Sequence, residues 1–160
     1  MINPIFQWPV RIYYEDTDHG GVVYYANYLK YMERARTEYL RACGIEQHIL
    51  IDVEDIIFAV KRVEADYVAP ARFNDLLLVT TEIRENSRVK LLFKQQILVD
   101  KDQSNNHSTQ FVAGFNANAH KQKNMMLLCD ANITIASLSA KKLRPKRVPE
   151  KLIEELMCER

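Results

Sequence analysis

Two carboxylates and a pair of glycines stand close together near the start of the chain. Asp16 and Asp18 flank Thr17, and Gly20-Gly21 follow after one residue. A carboxylate can attack a carbonyl carbon as a nucleophile, or it can remove a proton from water as a general base. Free backbone amides at a helix start can stabilise the negative charge that develops on the carbonyl oxygen. These residue types are therefore suited to cleaving an activated acyl group.

A strand before these residues and a long helix after them would hold them in place. Residues 10–14 alternate between apolar and more polar side chains, which is typical of a strand with one buried face. From Tyr28 to Cys43 apolar side chains recur at helical spacing, and Gly44 suits the left-handed position that ends many helices. The intervening turn would bring Asp18 towards the positive end of the helix.

The same residues also allow a purely structural interpretation. Asp16 and Asp18 are good turn formers, and Gly20-Gly21 can bend a chain where other residues cannot. Within the catalytic interpretation, Asp16 is expected to be the structural member of the pair. Residue types alone leave the two interpretations open.

The rest of the chain predicts mainly strands. A short link is expected at 45–53, followed by a strand that ends near Pro70 and is interrupted by Lys61. Further strands are predicted at 77–83, 89–99 and 127–138, with a turn at Glu85-Asn86-Ser87 and a closing helix at 150–157. One long helix among antiparallel strands indicates the α+β class, with the helix covering one face of the sheet.

Several short motifs also match those of a known family. They are Arg11-Ile12, Thr17-Asp18, Gly21-Val22-Val23, Tyr28, the helical stretch 33–38, the stretch 64–72 with Asp75, and the stretch 142–149. Together they resemble the 4-hydroxybenzoyl-CoA thioesterase (4HBT) family, and especially its YbgC-type acyl-CoA thioesterases, encoded beside the Tol-Pal genes of Gram-negative bacteria. The resemblance implies a hotdog fold, a curved antiparallel sheet wrapped around one central helix, as a single domain over residues 1–160.

Residues 101–126 depart from that resemblance. The stretch begins with polar, loop-like residues, and an apolar run at 111–117 could extend a hairpin. Relatives usually join the flanking strands by a much shorter turn. We expect a hairpin or loop insertion here, with a lid over substrate or an oligomer contact as the alternatives.

The resemblance also implies roles for individual residues. Asp18 aligns with the catalytic carboxylate, and the backbone amide of Tyr25 aligns with the donor that polarises the carbonyl. Close relatives often carry His where this chain has Tyr25, so a proton-transfer role for that side chain is in doubt. Asn27 is a good helix N-cap, which would leave Tyr25 just upstream of the helix. Tyr14 is a weaker candidate for orienting Asp18 or water, and its alternative is an ordinary strand aromatic.

Coenzyme A carries several phosphates, so a thioesterase of this kind needs basic groups near its acyl tunnel. The candidates are Lys61, Arg62, Arg88 and Lys90, and the alternative is that they are ordinary solvated strand charges. The resemblance implies an active site at a dimer interface, and hence a homodimer or homotetramer. It implies neither metal nor cofactor.

The length, charge balance and apolar runs of the chain exclude some classes of protein. The chain has 160 residues, with 22 basic against 21 acidic ones, so bulk charge does not indicate a nucleic-acid binder. Its apolar runs are too short to span a bilayer, and no secretory signal is visible. We therefore expect a cytoplasmic protein, or one peripheral at the inner membrane, with its three cysteines as free thiols.

The expected function is hydrolysis of fatty or short-chain acyl-CoA to free acid and CoA, with acyl carrier protein as an alternative acyl donor. A second hypothesis is a non-catalytic acyl-carrier or Tol-Pal-associated binding module that keeps only the fold. A third is a hotdog dehydratase acting on a 3-hydroxyacyl thioester through His19 and Glu33. The Thr17-Asp18 motif fits the thioesterase better than the dehydratase.

Overall fold

The computed structural model describes residues 5–101 and 124–157, which form helices and one antiparallel sheet. In chain order the elements are β1 (Phe6–Arg11), a 3-10 helix (Tyr14–Asp16), α1 (Asn27–Ala42), α2 (Gln47–Glu54), β2 (Ile56–Tyr67), β3 (Leu76–Ser87), β4 (Lys90–Asp100), β5 (Met125–Ser139) and α3 (Glu150–Met157). In this part of the chain no helix is long and apolar enough to cross a membrane.

The sheet has the strand order β1-β3-β4-β5-β2, and all of its pairings are antiparallel. Burial alternates strictly along β4, where every second residue from Leu91 to Val99 is buried. The same alternation runs through most of β5. One face of the sheet is therefore apolar and needs a cover, as the period-two pattern of the sequence indicates.

Helix α1 provides that cover. Met32 and Ala35 are fully buried, and the Tyr39 ring packs edge-on against Phe93 of β4, with 6.3 Å between the ring centroids. The Gln95 side chain donates to the Met32 carbonyl at 3.0 Å, which joins the middle of the helix to the middle of the sheet. The predicted α+β class, with the long helix on one face of an antiparallel sheet, is confirmed.

Two predicted boundaries are wrong. Strand β1 ends at Arg11, because the chain then turns into the 3-10 helix, whose first turn is capped by the Asp16 carboxylate accepting the Tyr13 amide at 2.8 Å. Strand β3 continues through the predicted turn at 85–87, because Ser87 pairs with Lys90 and leaves only two residues for the hairpin loop. The polarity of 85–87 therefore reflects an exposed strand end.

Other local predictions agree with the structure. The interruption at Lys61 is a shift in the β2–β5 register between Val60 and Arg62, and Gly44 has a φ of 79° directly after α1. Strand β5 begins at Met125, earlier than expected. Most of the predicted insertion at 101–126, including the apolar run at 111–117, lies outside the described residues.

Candidate active site

Asp18 lies at the start of a tight hairpin that leads to α1. Its amide donates to the Val22 carbonyl at 2.9 Å, and its carbonyl accepts the Gly21 amide at 3.0 Å. Gly21 has a φ of 72°, a conformation that favours glycine. A single bridge between Thr17 and Val23 closes the hairpin.

The Asp18 carboxylate is held by its own hairpin. The Gly20 amide donates to Asp18 Oδ1 at 2.8 Å, and a Cβ at Gly20 would come within 3.1 Å of that oxygen. The other carboxylate oxygen makes no hydrogen bond to any described residue, and the Asp18 side chain is exposed in the single chain. One oxygen is thus fixed while the other is available to a substrate.

The N-terminal end of α1, at Asn27, follows five residues after Val22. The first hydrogen bonds of this end run from the Asn27 amide to the Tyr24 carbonyl, at 2.9 Å, and from Tyr28 to Tyr25, at 3.3 Å. Tyr25 and Ala26 therefore lie in the turn directly before α1, and neither of their amides donates to a described backbone carbonyl. Since Val22 is bonded to Asp18, chain geometry limits the Cα separation of Val22 and Tyr25 to about 10 Å.

Asn27 does not cap the helix, contrary to the expectation from the sequence. It is the first residue of α1, it is buried, and its side chain donates to the Asp16 carbonyl at 2.9 Å. The same carbonyl accepts the Tyr24 amide at 2.9 Å. Asn27 thus joins the carboxylate-bearing segment to the helix start. The only signal in the sequence was an amide side chain at a helix start, which capping explains equally well.

Asp16 is a structural residue, in keeping with the expectation. Its carboxylate binds the Tyr13 amide, and it faces the buried Tyr31 hydroxyl, which has no hydrogen-bond partner of normal geometry among the described residues. Burial, and secondarily the facing Asp16 carboxylate, raise the pKa of Tyr31 well above its ordinary value. The Tyr31 hydroxyl is therefore protonated at neutral pH.

Aromatic side chains surround the helix start. The exposed Tyr25 ring lies against Tyr24 at 4.8 Å and edge-on to Tyr67 at 6.1 Å. Tyr67 also contacts Tyr28, whose hydroxyl accepts the Ala71 amide at 2.9 Å. Tyr67, at the end of β2, therefore forms an aromatic wall with Tyr24 and Tyr25 beside the Tyr25 amide.

Tyr14 is not a strand aromatic. It lies in the 3-10 helix, its side chain is 76% exposed, and its ring stacks on Phe73 at 4.0 Å. No hydrogen bond joins its side chain to Asp18 within the described residues. The local structure thus gives Tyr14 an aromatic partner on the surface rather than a place beside the carboxylate.

The predicted phosphate-binding residues lie away from Asp18 within one chain. The Lys90 ammonium beside Lys61 lowers the pKa of Lys61, so these two lysines are neighbours. Arg62 instead pairs with Glu64 at 2.7 Å, and Arg88 lies in the β3–β4 turn. Six residues separate Lys61 from Tyr67 along β2, which is about 20 Å of extended strand.

Comparison with known proteins places this arrangement in a family. The profile of the thioesterase superfamily (4HBT) matches residues 20–104. The acyl-CoA thioesterase YbgC of Haemophilus influenzae is 35% identical over 152 residues, which are 95% of this chain and 94% of that protein. The acyl-CoA thioester hydrolase YbgC of Escherichia coli is 36% identical over 155 residues, which are 97% and 98% of the two chains.

The fold has solved counterparts as well. One of them is the crystal structure of a 4-hydroxybenzoyl-CoA thioesterase mutant in complex with 4-hydroxybenzoyl-CoA. Its superposition on this chain covers 96% of this chain and 99% of that chain, with a TM-score of 0.77 and 20% sequence identity. Identity at that level speaks for the fold alone. The architecture described above is therefore that of the hotdog fold.

The chain belongs to the thioesterase superfamily (4HBT), and its enzyme class is thioester hydrolase. Within the superfamily its similarity to the YbgC proteins extends over nearly the whole chain. The family resemblance drawn from the short motifs is confirmed.

Proposed function

We propose that this protein hydrolyses the thioester of fatty or short-chain acyl-CoA to the free acid and CoA, with Asp18 and the Tyr25 amide at the reacting carbonyl. The observation that carries the proposal is the hairpin that fixes one Asp18 oxygen on the Gly20 amide and leads into the turn directly before α1. The relatives named acyl-CoA thioesterases support the choice of substrate.

The proposed reaction has two forms. In one, the Asp18 carboxylate attacks the thioester carbonyl, the carbon–sulfur bond breaks, and water then hydrolyses the mixed anhydride. In the other, Asp18 takes a proton from water, the hydroxide adds to the carbonyl, and the departing CoA thiolate receives the proton. In both, the Tyr25 amide and the positive end of α1 stabilise the oxyanion.

A second copy of the chain would complete the site. Strand β2 is at one end of the sheet order, and residues 60–68 form a nearly continuous exposed stretch centred on Glu64. Val60 is 54% exposed and Val63 38%, which is unusual for apolar residues on an unpaired strand edge. Antiparallel pairing of two β2 strands would bury these residues and form a homodimer, the unit of a homodimer or homotetramer.

The same pairing would bring the lysines to the active site. With a two-fold axis near Glu64, Lys61 of one protomer lies opposite Tyr67 of the partner subunit, since both are three residues from the axis. Lys61 and its neighbour Lys90 would then approach the aromatic wall beside Tyr25 from the other chain. Two adjacent ammonium groups are suited to a CoA phosphate.

The Asp18→Asn variant tests the proposal, because it keeps the shape and the Gly20 contact but removes the charge. Thiol release from acyl-CoA should fall about 10²–10⁴-fold, the size expected for a positioned base. His19→Asn, an exposed neighbour in the same hairpin, is the matched control and should retain its rate. The same assay with acyl-carrier-protein thioesters separates the two donors, and acyl-CoA binding without turnover in the wild type would favour the binding-module hypothesis.

A further inference from the structure

The Asp18 hairpin is part of a small antiparallel ribbon of three chain segments. Val22 lies in the middle of this ribbon, with residues 17–18 on one side and residues 71–72 on the other. The Val22 carbonyl accepts the Asp18 amide at 2.9 Å, and Val22 also forms a bridge with Arg72. Asp18, Val22 and Arg72 are therefore directly opposed to one another across the ribbon.

The side chains of these three residues share one face. Opposed residues of an antiparallel pair point to the same side, and the next residues along the chain point to the other. Burial agrees with this assignment, because Val23 and Ala71 are buried whereas Asp18 and Arg72 are exposed and Val22 is half-buried. Opposed Cα atoms are ~4.5–5.5 Å apart, so the Cα atoms of Arg72 and Asp18 are separated by about 10 Å.

The main chain of Arg72 is fixed, but its guanidinium is not. The Arg72 amide donates to Asp75 Oδ2 at 2.8 Å, and the Arg72 carbonyl accepts the Asp75 amide at 3.2 Å. The preceding Ala71 is fully buried, and its amide donates to the Tyr28 hydroxyl at 2.9 Å. Within residues 5–101 and 124–157 the guanidinium forms no hydrogen bond or ion pair. A rigid backbone thus presents unused donors on the Asp18 face.

We propose that Arg72 binds the pantetheine arm of the thioester by donating to the amide carbonyl nearer to the sulfur. This inference rests on the proposed function, because Asp18 fixes the position of the reacting carbonyl. By ordinary bond lengths that amide is about 5 Å from the sulfur, whereas the whole arm, comparable with about four extended peptide residues, spans on the order of 14 Å. The position of Arg72 matches the near amide better than the pyrophosphate at the far end.

The chemistry of the two side chains on this face suits the arm. A guanidinium has five N–H donors and no acceptor, so it pairs well with a carbonyl oxygen. The half-buried Val22 side chain, between Arg72 and Asp18, offers an apolar contact to the methylene groups of the arm. Neither contact changes as the carbon–sulfur bond breaks, so both contribute to substrate binding rather than to the chemical step.

The test compares Arg72→Gln with the wild type on three thioesters of butyrate. Butyryl-CoA and butyryl-pantetheine share the arm, and for both the variant should raise KM about 10–100-fold with kcat nearly unchanged, as expected for loss of a charge-assisted hydrogen bond. S-ethyl thiobutyrate lacks the amide, so the two proteins should hydrolyse it at equal rates.

Arg84→Gln is the matched control and should leave all three rates unchanged. Arg84 is an exposed arginine of β3 that pairs with Glu82 at 3.0 Å. It is eight residues beyond Leu76, the residue at which β3 begins, which is about 27 Å of strand.

Three results would overturn the proposal. A loss confined to butyryl-CoA would assign Arg72 to the phosphates. A lower kcat on all three substrates with a displaced pH profile would show that Arg72 acts through Asp18. An unchanged KM in Arg72→Gln, while the wild type hydrolyses both arm-bearing substrates, contradicts this inference alone. A wild-type protein that hydrolyses none of the thioesters instead contradicts the proposed function.

Discussion

In the proposed mechanism, catalysis divides between a side chain and a main-chain group. Asp18 has one oxygen held by the Gly20 amide, and the proposed oxyanion donor is the N–H of Tyr25. A main-chain donor would not depend on the identity of the side chain at position 25. The side chain of Tyr25 instead contributes a ring to the aromatic wall with Tyr24 and Tyr67.

The amide and the ring of Tyr25 can be separated by substitution. Tyr25→Pro removes the N–H, and Tyr25 is the second residue of the turn that the Asn27 amide closes on the Tyr24 carbonyl, a position where proline is common. Relative to Tyr25→Ala, which removes only the ring, Tyr25→Pro should lower kcat about 10²–10³-fold in a thiol-release assay. Unchanged helix content by circular dichroism is the control for folding. Equal rates for the two variants would exclude the amide as the oxyanion donor.

At the scale of elements, the position of Asp18 relative to α1 depends on the hydrogen bonds between the 3-10 helix and the start of α1. The Asp16 carbonyl accepts both the Asn27 side chain and the Tyr24 amide, and the Asp16 carboxylate closes the turn before it. The first two of these bonds join the carboxylate-bearing segment to the helix start. A small displacement here would therefore change the separation of Asp18 and the Tyr25 amide.

Asn27→Ala tests the contribution of these hydrogen bonds. Loss of the buried hydrogen bond should lower the free energy of unfolding by about 1–3 kcal/mol. It should also lower kcat at least 10-fold with little change in KM, because misplaced groups act on the transition state. Val79→Ala in the buried face of β3 should destabilise the protein by about 2 kcal/mol and retain kcat. If both variants lose kcat equally, Asn27 has only a structural role.

A second set of hydrogen bonds connects the end of α2 to the end of β5. Asp55 has a φ of 51°, and its carboxylate accepts from Ser139 Oγ at 2.7 Å and from the Lys141 amide at 2.9 Å. These two hydrogen bonds lower the pKa of Asp55 below its ordinary value, with a smaller contribution from Lys146. A carboxylate with a lowered folded-state pKa stabilises the fold above its unfolded pKa of about 4.

Asp55→Asn should therefore lower the melting temperature at pH 7, and the difference from the wild type should shrink as the pH falls through the folded-state pKa. Asparagine keeps the left-handed conformation available, so the change isolates the charge. Thermal unfolding at pH 7 and at pH 3 measures both differences. A difference that is independent of pH would show that the charge does not contribute.

At the scale of the whole molecule, one chain leaves Asp18 exposed and the lysine pair far from it. In the proposed dimer, a second copy pairs with the outer edge of β2 and brings its lysine pair to the site. The short strand β1, which contains Pro9, forms the other end of the sheet and is less suited to pairing. Activity and assembly should consequently depend on the same strand.

Val63→Glu should interrupt that assembly, because it places a charge in the centre of the exposed stretch. Sedimentation should show half the mass of the wild-type assembly, and kcat/KM for acyl-CoA should fall at least 10-fold as the lysines are lost from the site. Val53→Glu makes the same change at an exposed position of α2 and should alter neither. A dimeric, fully active Val63→Glu variant would contradict pairing through β2.

The helices and strands of this protein could be predicted from its sequence, because they depend on residues close together in the chain. Alternating side chains identified the strands, the helical spacing after Tyr28 identified α1, and Gly44 marked the end of that helix. The motif around Asp18 identified the family because its residue types and order recur together. These features depend on neighbours in the chain, so periodicity and turn chemistry are sufficient to predict them.

The tertiary structure decided which distant residues meet. Asn27 could cap its own helix or bind Asp16, and only the packing of the hairpin against α1 selects Asp16. The sequence indicates no partner for Arg36, and the sheet buries it against Gln95. Lys61 and Lys90 are 29 positions apart, and strand register makes them neighbours. Such contacts arise from the relative placement of whole elements, which no local pattern encodes.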